Sequence, residues 1–202
     1  MTVRNETEYE LMDGRRNRSR RTRARILDAL QGLVDEGVLV PTSEEVARRA
    51  GVGHRTVFRH FDDMEGLFEG LHERLDGILR PLLETEPPSG PVGERLAALV
   101  ELRAGLFERC RNLLRSERLR SLSADSGAPR FRALADIYRE NLLRYLPEIE
   151  SLPPADQSAI EVMLSAEAFE LLARGQQLAR PEVEAAMVRG VTRMLEREHQ
   201  TI

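Results

Sequence analysis

Residues 42–61 hold the spacing with the most chemistry in it: TSEEVARRA, then GVG, then HRTVFRHF. Two short helical stretches joined by a three-residue turn fit a helical corner whose second helix offers an outer side to a ligand. Ala47 is small where the helices must approach, Gly51 permits a left-handed residue, and Val52 and Val57 fill the angle between them. His54, Arg55, Thr56 and Arg59 are left facing outward. When such a helix lies in a major groove, an arginine can grip the O6 and N7 of a guanine with two hydrogen bonds. The expected chemistry is recognition of a polyanion, not bond making.

The charge distribution agrees. Residues 15–60 carry eleven Arg against five acids, whereas residues 61–202 carry 18 Arg against 25 acids, inside a net charge of −4. A basic segment on an acidic chain marks a phosphate-binding surface, because that part alone gains by displacing counterions. Arg16, Arg18, Arg20 and Arg21 precede the first helix and are expected to meet phosphates or a minor groove without selecting bases. An enzyme reading finds no glycine-rich phosphate loop, no nucleophile elbow and no Cys/His cluster, so no cofactor and no metal are expected. The single cysteine, Cys110, excludes an internal disulfide framework and reads as inert core. No apolar run reaches the roughly 18 residues of a membrane span, and the N-terminal stretch has no export character, so a cytoplasmic protein is expected.

The elements that must position these residues read as helices throughout, and the fold class expected is all-α. Ile26, Leu27, Leu30, Leu33 and Val34 recur along one helix face from about residue 19 to 36, and Gly37 stops it. Thr42 with Glu45 forms a capping box opening the second helix. After the third helix, Asp62 or Asp63 caps a fourth that carries Leu67, Phe68, Leu71, Leu75, Ile78 and Leu79. The PPSGP linker at 87–91 follows, and a long helix bearing Leu96, Leu99, Val100, Leu106, Phe107 and Cys110 comes next. Beyond the polar stretch 123–129, Phe131, Leu134, Tyr138 and Leu142 continue to Pro147. A helix from about Ala155 to Arg174 is apolar or small on more than one face, as for a helix covered by a second subunit, and a last one starts near Pro181.

From Thr22 to Leu71 the chain resembles the N-terminal domain of the tetracycline-repressor (TetR) family. The resemblance rests on an Arg before Ile26-Leu27, Gly37, Thr42-Ser43, Val46-Ala47, Ala50-Gly51-Val52, Thr56-Val57-Phe58 with His60-Phe61, and Glu65 with Leu67. It covers about a quarter of the chain, and residues 165–195 look like the family's last two helices. The resemblance implies an N-terminal three-helix helix-turn-helix DNA-binding domain followed by a helical ligand-binding and dimerisation domain. It implies a homodimer on a palindromic double-stranded operator, usually a repressor released by a small-molecule effector. The expected boundaries are a flexible tail over 1–17, the helix-turn-helix domain over 18–64 and the helical domain over 65–202. Two positions depart from the family pattern: Phe58 stands where Tyr is common and Met64 where Lys is common, and both usual residues contact phosphate. The arm arginines and the N–H groups opening the fourth helix are the candidates to replace them, opposed by Asp62, Asp63 and Glu65.

The candidate DNA-contacting set is Arg21, Arg23, Thr42, Ser43, Gly53, His54, Arg55, Thr56, Phe58, Arg59 and His60. Against it, helix capping accounts equally for Thr42, an Arg48–Arg49 pair is usually a solvated face, and Phe58 and Phe61 are expected in the core more often than in contact. Candidate pocket residues are His72, Arg103, Phe107, Tyr138 and Glu167. Candidate dimer residues are Val162, Ala166, Phe169, Ala173, Val183, Met187, Gly190, Val191 and Met194. The alternative function is a helical small-molecule-binding module whose DNA binding is weakened or lost.

Overall fold

The structure, a computed structural model, describes the backbone of residues 3–123 and 127–198 and the side chains of 16–77, 79–122 and 132–196. The expected packing of Ile78 and Phe131 lies outside the described side chains. Among the described residues there are helices and no strand. The elements are α1 (Val3–Asp35), α2 (Ser43–Ala50), α3 (His54–His60), α4 (Met64–Leu83), α5 (Val92–Arg109), α6 (Arg111–Ser123), α7 (Gly127–Tyr145), α8 (Pro154–Met163), α9 (Ala166–Glu170) and α10 (Arg180–Glu198). A 3₁₀ turn occupies Pro147–Ser151 and a π turn Leu171–Gly175. None of the described helices is long and apolar enough to cross a membrane.

The chain divides into two compact units, residues 1–78 and 79–202. In the first, Ile26 and Leu30 of α1, Val46 of α2, Val57 of α3 and Leu67 and Leu71 of α4 are fully buried. The i, i+4 spacing of Ile26 with Leu30 and of Leu67 with Leu71 lets α1 and α4 share one core with the short α2 and α3. Gly37, at φ +94°, closes α1: its N–H reaches the carbonyl of Val34 and that of Val38 reaches Leu33. At its other end α1 begins at Val3 instead of near residue 19, so the arm arginines are carried on a helix.

In the second unit α5, α7, α8 and α10 surround a core that includes Leu96, Leu99, Phe107, Leu142, Leu146, Ile149, Ile160, Phe169 and Val191. Arg95 fastens α5 to the end of α7: it donates to the Tyr145 carbonyl at 2.6 Å and pairs with Glu148. That pair holds the Glu148 carboxyl below the usual carboxylate range.

Two expected long helices are broken. The helix through Cys110 ends there, and α6 starts at Arg111. The helix expected from Ala155 to Arg174 stops at Leu164, and Ser165 caps a new one by accepting the Ala168 N–H at 3.2 Å. A serine side chain competing for the backbone favours such a start. The freed Leu164 carbonyl is taken by Nη1 of Arg103 at 3.2 Å, a long-range substitute for the missing helical bond. The segment then widens into the π turn, where the Gln176 N–H reaches the Leu171 carbonyl at 2.9 Å.

Candidate nucleic-acid interface

The corner at residues 42–61 is built from its caps. Thr42 accepts the Glu45 N–H at 3.3 Å while Glu45 accepts the Thr42 N–H at 2.8 Å, completing the capping box. These bonds from the backbone and hydroxyl of Thr42 hold the Glu45 carboxyl below its ordinary pKa. At the far end of α2, Gly51 sits at φ 62° and ψ 41°, and the Val52 N–H closes on the Ala47 carbonyl at 3.1 Å. Arg25, which the sequence marks only as the arginine before Ile26-Leu27, completes the turn. Arg25 on α1 donates from Nη2 to the carbonyls of Ala50 at 2.6 Å and Gly51 at 3.1 Å. Within a run of arginines, nothing local marks a contact that spans 25 residues.

The turn aims α3. Val57 is completely buried and Phe61 nearly so, one helical turn apart, which plugs α3 against α1 and α4. Phe58, a step of about 100° round the helix from Val57, is 37% exposed; the core placement expected for both aromatics therefore holds for Phe61 and not for Phe58. Arg55 and Arg59 are exposed and, among the described residues, make no ion pair or hydrogen bond within the chain. His54 is tied back instead. Its Nε2 lies 2.8 Å from the Ser43 hydroxyl and 3.2 Å from Glu44, and its ring meets Phe58 edge-on at 4.8 Å. Gly53 caps α3 and accepts the Thr56 N–H at 2.8 Å, with the Thr56 side chain half-buried. His60 is half-buried, and burial pushes its pKa below the usual histidine value, with Arg59 and Arg23 adding repulsion.

The arginines separate into two kinds. Arg21 is exposed on α1. Arg23 turns inward, over the Phe61 ring at 4.8 Å and within 3.8 Å of Glu73, so it is a packing residue of this unit in the conformation seen. Arg49 makes a two-pronged pair with Glu36 at 2.5 and 2.7 Å, raising its own pKa and lowering that of the carboxyl. Arg48 stays exposed. At the start of α4, Asp63 accepts the Gly66 N–H at 2.8 Å, so one of the N–H groups offered in place of a lysine contact already has a carboxylate on it.

The second unit contains a cavity of about 150 Å³ lined by Arg103, Tyr138 and Glu167 together with Leu114, Leu134 and Leu164. Two pocket candidates are elsewhere. Phe107 stands behind Tyr138, ring centroids 5.8 Å apart, in the core, and His72 is buried beside Phe68 in the first unit. Among the dimer candidates, Phe169, Val183, Met187 and Val191 are buried in the subunit's own core, so they are not available as interface residues. Gly190 faces Met163 so closely that a Cβ would lie 2.6 Å from its sulfur, so the small residue serves packing of α10 on α8. What remains outside is Val162, 68% exposed, with Ala166, Ala173 and Met194 half-buried; Leu171, 62% exposed, joins them.

A capped helical corner whose second helix faces outward, packed on α1 and the start of α4, is a helix-turn-helix construction. Residues 28–71 match the family described as bacterial regulatory proteins, tetR family. Over 53 residues it is 45% identical to the uncharacterized HTH-type transcriptional regulator YvkB of Bacillus subtilis, a match covering 26% of this chain and 28% of that one. Two crystal structures share the fold at 20% identity. A tetR-family transcriptional regulator from Streptomyces coelicolor aligns with a TM-score of 0.68 over 91% of this chain and 84% of its own. A transcriptional regulator from Rhodococcus sp. RHA1 aligns at 0.66 over 88% and 96%.

Proposed function

We propose that the chain is a dimeric, sequence-specific DNA-binding transcriptional regulator acting inside the cell, a repressor relieved by a small-molecule effector. The observation that carries this reading is the outward pair Arg55 and Arg59 on a helix fixed by caps on both sides, with no internal partner among the described residues. Held one turn apart on α3, they suit direct contact with base edges in a major groove. Arg21 and the exposed arm arginines supply phosphate contacts. The exposed Val162 and Leu171 favour a second copy as cover, and a two-fold dimer would present two recognition helices to a palindrome.

A gel shift with the DNA upstream of its own gene tests the reading. A complex that survives excess random DNA is expected; equal competition by operator and random DNA would remove the regulator reading. A second reading, a small-molecule-binding module with weakened DNA binding, is favoured by Phe58 and Met64 at two phosphate positions and by the engagement of His54 with Ser43 and Glu44. It predicts effector binding with no retarded complex at any salt concentration.

A further inference from the structure

The cavity of the second unit is lined by three arginines and three glutamates, and of these charges only Arg103 is fully buried. Arg103 is 2% exposed. Its guanidinium donates to Asn141 Oδ1 at 3.1 Å, to the Leu164 carbonyl at 3.2 Å and to the Tyr138 carbonyl, all neutral oxygens. The nearby carboxylate that acts on it, Glu161, is already bound to Arg139. Burial pushes the Arg103 pKa down to about 10, so the group stays charged at neutral pH while its hydrogen bonds to Asn141, Leu164 and Tyr138 end on neutral oxygens. A buried cation satisfied only by dipoles gains when an anion displaces what solvent reaches it, and a guanidinium fork fits a carboxylate with two parallel bonds. Leu114, Leu134 and Leu164 make the adjoining walls apolar, and the Tyr138 ring lies 5.3 Å from the guanidinium carbon. A cavity of about this volume, where apolar, holds a molecule the size of benzene.

We infer that the effector is a small carboxylate with a compact apolar body, its carboxylate against Arg103 and its body between α6 and α7. This rests on the proposed reading that the second unit senses a ligand, and it narrows that reading to one chemical class. Of the other charges on the lining, Arg139 is committed to Glu161 and Gln157, Arg118 and Glu167 are exposed and Glu117 is half-buried, which leaves Arg103 as the one fully buried charge.

Three probes of one shape and different charge decide it: benzoate, benzamide and benzylamine, each titrated calorimetrically into the full-length protein at neutral pH. Benzoate is expected to bind about tenfold to a hundredfold more tightly than benzamide, the range of a charge-assisted bond, with benzylamine weakest. Ala135→Leu, which projects a side chain into the cavity from α7, is expected to abolish benzoate binding without lowering the melting temperature. Arg103→Gln is expected to bring benzoate to the level of benzamide. Should that variant fail to fold, the charge series on the native chain and the Ala135→Leu block still decide. Benzamide or benzylamine binding as well as benzoate, and blocked by Ala135→Leu, would overturn the carboxylate class and leave the sensor reading standing. Benzoate binding indifferent to Ala135→Leu would place it elsewhere and overturn the inference. Failure of all three probes would overturn the inference alone, because it tests only compact aromatic ligands and leaves sensing of other chemistries standing.

Discussion

Arg25 gives the sharpest test of how the helical corner is held. Replacing it with Met keeps the aliphatic stem and removes both bonds to the α2 terminus, at 2.6 Å to Ala50 and 3.1 Å to Gly51. A hydrogen bond from a charged donor contributes about 1.5 to 3 kcal/mol when sheltered. Here Gly51 is exposed and its carbonyl can turn to water, so little of the second bond counts; Ala50 is buried and its carbonyl loses more. The expected loss is therefore about 1 to 2 kcal/mol, less than two full bonds and more than a surface ion pair. For a unit of this size that corresponds to a fall in melting temperature of roughly 5 to 15 °C. Because Gly51 in its left-handed state sets the direction of α3, operator and random-sequence DNA should both be bound more weakly. Calorimetric melting and fluorescence anisotropy on the same preparations supply the two readouts. An Arg25→Met protein that melts within a degree of the native one would show that the carbonyls are solvated equally well without Arg25, and the bracing argument would be wrong.

Arg55→Ala and Arg59→Ala should behave oppositely, leaving the melting temperature unchanged and costing about 1 to 3 kcal/mol per half-site on the operator, far less on random DNA; equal losses on both would deny α3 its reading role. Val162→Asp should yield a folded monomer by light scattering, since Val162 is exposed, whereas Phe169→Asp should lower the melting temperature by burying a charge in the subunit core. His60 has a depressed pKa in the folded state, so its neutral form is favoured by folding; its contribution is complete above about pH 6.5 and is lost as pH falls from there toward the lowered value. His60→Asn should flatten that part of the stability profile, and an unchanged profile would mean that His60 titrates normally.

The first unit was largely legible because its signals are local. Thr42 and Glu45 lie three residues apart, and the Gly51 turn and the Ile26–Val34 stripe are short-range patterns, so each appears in the sequence as it appears in space. The arginines were not legible: Arg21, Arg23 and Arg25 alternate along one segment, yet one is exposed, one lies on Phe61 and one braces the corner. Their roles are set by what α2, α3 and α4 bring to them. The second unit failed for a related reason. An apolar stripe says that a face is covered without saying by what, and Phe169, Val183, Met187 and Val191 turned out to be covered by their own subunit. The break at Ser165 was hidden because a serine in a helical pattern reads equally as a solvated position or a cap.

The interruption between α8 and α9 also has a mechanical meaning. An unbroken helix would carry displacement as a rod, whereas this segment has a joint at Leu164–Ser165, just past Val162 and ahead of the π turn that presents Leu171. The pin of the joint is a side chain from α5, the Arg103 guanidinium on the Leu164 carbonyl, and the same guanidinium borders the cavity. One side chain from α5 therefore serves two places at once, closing the backbone at the break and forming part of the cavity wall.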